Sequence, residues 1–199
     1  MKQVVLASGN PGKLKEMREL LAPSGLEIIS QGDLDIPEAE EAGLSFVENA
    51  LIKARNAAAH SGLPAIADDS GIEVDALDGN PGIHSARFAG SNATDGENNA
   101  LLLEKLADIP AERRTARYQC LIVFMRHERD PVPLICQGSW EGRIQDQARG
   151  TNGFGYDPHF LLPELDRTAA ELPPEEKNRL SHRGRAMREL ARKMAEFGN

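Results

Sequence analysis

The segment Val4-Val5-Leu6-Ala7-Ser8-Gly9-Asn10-Pro11-Gly12-Lys13, continued by Leu14, Met17, Leu20 and Leu21, decides the fold class. Four apolar residues in a row read as a short buried strand. Apolar residues at three- and four-residue spacing from Lys13 to Leu21 read as one face of a helix. Ser8 to Gly12 is therefore a loop joining the carboxyl end of a strand to a helix N-terminus. In open α/β folds, ligands bind at such junctions.

The same grammar continues along the chain. Leu26 to Ser30 reads as a second strand after the breaker Pro23-Ser24-Gly25, and the acidic stretch Gln31 to Gly43 reads as a loop. Ser45 to His60 is a helix with a capping-box start, Ser45 and Glu48. Ala65-Ile66-Ala67 reads as a short strand ending at Asp68-Asp69, and Ile72 to Ala76 as another. Asp78 to Asp95 is a long loop rich in Gly, Pro, Ser and Asn, of the kind that carries function in compact domains. Asn98 to Leu106 is helical. Arg117 to Met125 and Leu134 to Trp140 form long strands joined as a hairpin, Ala148 to Pro158 is a second functional loop, and Ser181 to Phe197 is a closing helix. Early alternation of strands and helices with long strands in the middle predicts an α/β protein with a mixed central sheet flanked by helices.

Composition narrows the function. The 199 residues suit one substantial domain or two small lobes. A net charge of −8 argues against a polynucleotide partner, which needs a broad basic surface, but leaves room for a single nucleotide. Cys120 and Cys136 stand in apolar runs without metal-ligand spacing and read as buried, reduced thiols. Met1-Lys2-Gln3 runs straight into a strand rather than a secretory apolar region. No apolar run approaches the roughly 20 residues that span a bilayer, so no membrane partner and a cytoplasmic location are expected.

Three polar stretches carry the chemistry. Ser8-Gly9-Asn10-Pro11-Gly12-Lys13 offers backbone N–H groups, a helix dipole and an ammonium to a phosphate, although the same residues also make an ordinary turn before an amphipathic helix. Ala67-Asp68-Asp69-Ser70-Gly71 places adjacent carboxylates where they can hold magnesium and deprotonate water, or simply form a solvated turn. Glu40 and Glu41 offer a further ligand, and Lys53 a further cation, if the fold brings them there. Phe154-Gly155-Tyr156-Asp157-Pro158 puts aromatic rings beside a carboxylate, suited to a stacked base or to loop packing. His182 and Arg183 stand at a helix start, where a cation opposes the macrodipole, and so hint at a ligand. Lys177 precedes them without a signal of its own.

In order and spacing, these motifs resemble the inosine triphosphate pyrophosphatase, or Ham1-like, family. The resemblance rests on Ala7-Ser8-Gly9-Asn10 with Lys13, on Ser45-Phe46 through Glu48-Asn49-Ala50 with Lys53-Ala54, and on Ala67 to Gly71. It continues through Pro81-Gly82, Ser85-Ala86-Arg87, Gly153 to Pro158, Lys177 and Ser181-His182-Arg183-Gly184, as one domain over residues 1–199. It implies two lobes around a central active-site cleft, a homodimer, and Mg2+-dependent hydrolysis of ITP, dITP and XTP to the monophosphate and pyrophosphate. The implied role is house-cleaning, removing deaminated purines before they enter nucleic acid. By position, Ser8, Gly9, Asn10, Pro11, Gly12, Lys13 and Lys53 hold the triphosphate. Glu41 and Asp69 serve the metal, and Asp69 is the base, with Asp68 next to it. Ser70, Gly155 and Tyr156 belong to the substrate site, Phe154 stacks on the purine, and Asp157, Lys177, His182 and Arg183 read its edge. A 6-oxo purine accepts where adenine donates, so donors here favour hypoxanthine and xanthine over adenine. His84 and Asn152 depart from the family pattern. A Maf-type pyrophosphatase and a nucleotide sensor without metal chemistry are the rival readings.

Overall fold

The computed structural model describes residues 3–197, so the opening Met1 and Lys2 of the sequence reading lie outside the described residues. Among the described residues, seven strands form one sheet: β1 (Gln3–Ala7), β2 (Glu27–Ser30), β3 (Ala65–Val74), β4 (Thr115–Met125), β5 (Leu134–Ile144), β6 (Phe160–Leu162) and β7 (Arg167–Thr168). Their order is β2-β1-β3-β4-β5-β6-β7. β1 runs parallel to β2 and β3, whereas β5, β6 and β7 pair antiparallel. The helices are α1 (Pro11–Leu21), α2 (Phe46–Ser61), α3 (Asp95–Leu106), α4 (Pro174–Leu180) and α5 (His182–Phe197). The mixed α/β architecture is the one expected.

Local chemistry sets the helix starts. Asn10 caps α1, accepting from the Lys13 N–H, and Pro11 fills the first helical position, where its missing donor costs nothing. Ser45 caps α2 in the same way, accepting from Glu48. Thr94 and Glu97 form a full capping box that starts α3 at Asp95, three residues before the periodicity alone predicts. The loop Asp78 to Asp95 contains a short 3-10 helix, Gly82–Arg87.

One expectation is overturned. Asp68 and Asp69 do not sit in a loop after a short strand. They lie inside the ten-residue strand β3, buried at 1% and 6% exposure. The pleat sends successive side chains to opposite faces. Ile66 packs with Val4, Leu6, Met17, Cys120 and the α5 residues Ala186 and Met187 on one face. Ala65 and Ala67 pack with Val5, Ala7 and the α2 residues Ala50, Ala54 and Ala57 on the other. Asp68 therefore joins the first face and Asp69 the second, so the two neighbouring carboxylates are not a pair sharing one cation.

The described chain divides into two compact units. One comprises residues 3–69, 120–138 and 183–197, and the other residues 70–119 and 139–182. The second has its own core, built on Ile72, Val74, Leu102, Tyr118, Trp140, Tyr156 and Phe160.

Candidate active site

In the first unit, β3 presents Asp69 to α2. Lys53 of α2 reaches Asp69 Oδ1 at 2.7 Å and Glu41 Oε1 at 3.0 Å, so one ammonium joins two carboxylates. The loop carrying Glu41 is stitched to the start of α2: the Gly43 N–H donates to Asn49 Oδ1 at 2.9 Å, and the Leu44 N–H to Glu48 Oε2 at 3.0 Å. Burial lifts the Asp69 carboxyl above its ordinary range against the pull of Lys53 and Lys13. Burial also works against the Lys53 charge, but Asp69 and Glu41 outweigh it and keep the ammonium protonated. Asp69 Oδ2 is buried and, among the described residues, has no hydrogen-bond partner. A buried carboxylate oxygen left open in this way fits a water or a cation.

On the other face, Asp68 is fully enclosed by donors. Lys13 Nζ stands 2.6 Å from Oδ1, and Arg183 Nε stands 3.1 Å from Oδ2. The Cys120 thiol donates to Oδ2 at 2.9 Å. Burial opposes its ionisation, yet Arg183 and Lys13 hold the carboxyl well below the usual range. Arg183, 1% exposed, also pairs with Glu16 of α1. These ion pairs account for the cation at the start of α5, where the macrodipole alone disfavours it. Arg183 is grouped with Asp68 and Glu16, whereas the sequence reading groups it with the base-contacting residues.

The loop before α1 is open to solvent at Gly9, Asn10 and Pro11. Ser8 Oγ accepts from the Asn10 N–H at 3.2 Å. A side chain at Gly9 would meet Glu38 at 2.0 Å, so only glycine fits there without moving that carboxylate. Gly12 lies in the first turn of α1. Ser70 is half-buried on β3.

The second unit gathers the aromatic motif. Asp157, 2% exposed, accepts from Lys177 Nζ at 2.6 Å and from the Phe154 N–H at 3.0 Å, both on Oδ2, and from the Tyr118 hydroxyl at 3.1 Å on Oδ1. The Lys177 ammonium lies 4.9 Å from the centre of the Phe154 ring. His182 stacks on Tyr118 with ring centres 4.7 Å apart and planes 9° from parallel. Gly153 holds a φ of 76°, and a Cβ there would come 2.0 Å from Asp157 Oδ2, so the turn closes directly onto the carboxylate. The Gly155 N–H donates to Asp95 at 2.7 Å, and its carbonyl accepts from Asn99 at 2.9 Å, anchoring the loop to α3. Tyr156 packs in the core and donates its hydroxyl to the Ser85 carbonyl at 2.7 Å.

Sequence reasoning missed Glu16, Asp95, Tyr118 and the thiol of Cys120, each of which acts across a long separation and carries no local motif. The Asn152 departure has a structural use, because its amide donates to the Leu172 carbonyl at 3.1 Å. His84 lies exposed in the 3-10 turn, and nothing in the structure explains the departure there. Cys120 and Cys136 are buried free thiols, as expected. No helix among the described residues is long and apolar enough to cross a membrane.

Comparison with known proteins identifies the family. The Ham1 family model matches residues 4–193. A dITP/XTP pyrophosphatase of Thioalkalivibrio sulfidiphilus is 59% identical over 192 residues, covering 96% of this chain and 98% of that one. A dITP/XTP pyrophosphatase of Methylococcus capsulatus is 59% identical over 193 residues, covering 97% and 96%. A solved HAM1 protein from Coxiella burnetii superposes with a TM-score of 0.91 at 51% identity, covering 98% of this chain and all of that one. With the motifs in place from the loop before α1 to the start of α5, and with near-full-length likeness in sequence and structure, the chain belongs to the Ham1 family.

Proposed function

We propose that this chain is a dITP/XTP pyrophosphatase that hydrolyses deaminated purine nucleoside triphosphates to the monophosphate and pyrophosphate, as a cytoplasmic homodimer. The observation that carries the reading is the buried, unpartnered Asp69 Oδ2 beside a lysine shared with Glu41. The names of the relatives support the substrate class.

Among the described residues, no three metal-ligating side chains gather in one cluster. Magnesium usually keeps several waters and takes only one or two carboxylates, so Glu41 and Asp69 fit it. When bound, it would neutralise phosphate charge and make a water more acidic. The rest falls to the chain itself. Asp69 Oδ2 accepts the proton of the attacking water. Lys53 holds Asp69 through Oδ1 and adds positive charge for phosphate oxygens, and Lys13 adds a second. Asp68 is saturated with donors and positions Lys13.

In the second unit, Phe154 offers a stacking face to a purine, and Lys177 offers donors at its edge but never an acceptor. The 6-oxo oxygens of hypoxanthine and xanthine are served by such donors, and the amino group of adenine is not. The test is pyrophosphate release across ITP, dITP, XTP, ATP and GTP, with and without magnesium. Strong release from the first three that disappears on chelation is expected. Equal release from ATP, or none at all, overturns the reading.

A further inference from the structure

Tyr118 belongs to none of the motifs that carry the family resemblance, yet it touches two of the residues assigned to the base. It stands on β4 at 8% exposure within the second unit's core. A hydroxyl in a core costs free energy unless it is hydrogen-bonded. Here the hydroxyl donates to Asp157 Oδ1, the oxygen not used by Lys177 or Phe154. The ring also lies flat on His182 and packs at a tilt against Phe160, with ring centres 4.5 Å apart. A ring alone would fill the core and stack on His182; the hydroxyl adds the bond to Asp157.

We infer that Tyr118 is a positioning residue for base selectivity. Its hydroxyl fixes the rotation of the Asp157 carboxylate, and its ring fixes the plane of His182. This rests on reading the Phe154 loop as the base site. Asp157 in turn holds both the Phe154 backbone and the Lys177 ammonium. Freeing Oδ1 lets the carboxylate turn, and the stacking ring and the edge donor lose their common anchor. Tyr118 takes no part in the chemistry at Asp69, so the effect falls on the grip of the base and not on bond cleavage.

The experiment compares the wild-type protein with Tyr118→Phe, which keeps the ring and removes only the hydroxyl. Steady-state kinetics on ITP and ATP are combined with calorimetric binding of IMP and with thermal unfolding. Loss of one hydrogen bond to a charged acceptor should raise KM for ITP and weaken IMP binding by roughly 10-fold or more. The kcat for ITP should stay within about twofold, and the ITP-to-ATP ratio of kcat/KM should fall, though by less than KM rises, because the stacking ring serves both bases and the edge donor serves only the 6-oxo purine. IMP binding reads the grip of the base without turnover. Wild-type preference for ITP that survives unchanged in Tyr118→Phe overturns this inference alone. An equal loss on ITP and ATP, with a lowered Tm, reduces Tyr118 to a core residue and also overturns it. A wild type that does not prefer ITP over ATP overturns the proposed function, and this inference with it.

Discussion

Replacing Arg183 with Met removes a guanidinium that is 1% exposed and held by Asp68 and Glu16. Met fills much of the same space, so the main loss is charge. Asp68 would keep Lys13 at 2.6 Å and the Cys120 thiol at 2.9 Å, but would lose its buried cation. Breaking a buried pair from one side costs about 3–5 kcal/mol. At about 2–4 °C per kcal/mol for a chain of this size, Arg183→Met should lower Tm by roughly 6–20 °C. Because Glu16 and Lys13 share α1, the loosened helix should reduce kcat/KM for ITP and ATP by the same factor. Adding Asp68→Asn removes the stranded charge, so the double variant should lose less stability than the two single losses combined. The assays are thermal unfolding and kcat/KM on both nucleotides. An unchanged Tm, with activity lost on ITP and kept on ATP, would show instead that Arg183 reads the base and does not brace α1.

Asp69→Asn should retain the fold by circular dichroism and lose at least about 10²–10⁴-fold in kcat, since the amide cannot take the proton of water. Near-normal turnover would move the base elsewhere. Gly153→Ala should cost roughly 1–2 kcal/mol from the left-handed backbone alone, and more from the contact with Asp157; kinetics with ITP should show a raised KM, and an unchanged KM would mean the loop does not bind substrate. Asp130 accepts from Arg126 Nε at 2.8 Å and from the N–H groups of Arg126 and Val132, and the hydrogen bonds from Arg126, against the cost of burial, hold its carboxyl far below the ordinary range. A depressed folded-state pKa gives stability that is complete above about pH 4 and fades as pH falls through the folded value. Asp130→Ala should therefore lower Tm at pH 7 and progressively less at lower pH; a deficit that grows on acidification would contradict the sign.

The legible parts of this fold were those whose signals are local. Ser45 with Glu48 announces a helix start within four residues, and the apolar spacing of Leu14, Met17, Leu20 and Leu21 marks α1, although that helix starts two residues before Lys13, at Pro11 behind the Asn10 cap. The middle of β3 reads as a turn in sequence because Asp68-Asp69-Ser70-Gly71 has the composition of one. A strand can hold those carboxylates only because the pleat separates them and distant residues neutralise each: Lys53 lies 16 positions from Asp69, and Arg183 lies 115 from Asp68. The site was legible as residue types, since Lys13, Lys53, Glu41, Phe154, Asp157 and Lys177 were all named. Their grouping was not, because the partners Glu16, Cys120 and Tyr118 become meaningful only across the sheet. Arg183 is the clearest case: its awkward place at a helix start was visible, but the Asp68 and Glu16 carboxylates that explain it were not.

In the proposed reaction Asp69, with Lys13 and Lys53, directs water to the α–β linkage of a deaminated purine triphosphate. Phosphorus NMR of ITP turned over by the purified protein in the presence of magnesium tests it most directly. IMP and pyrophosphate are the expected initial products. Initial release of orthophosphate, with IDP left behind, would contradict it.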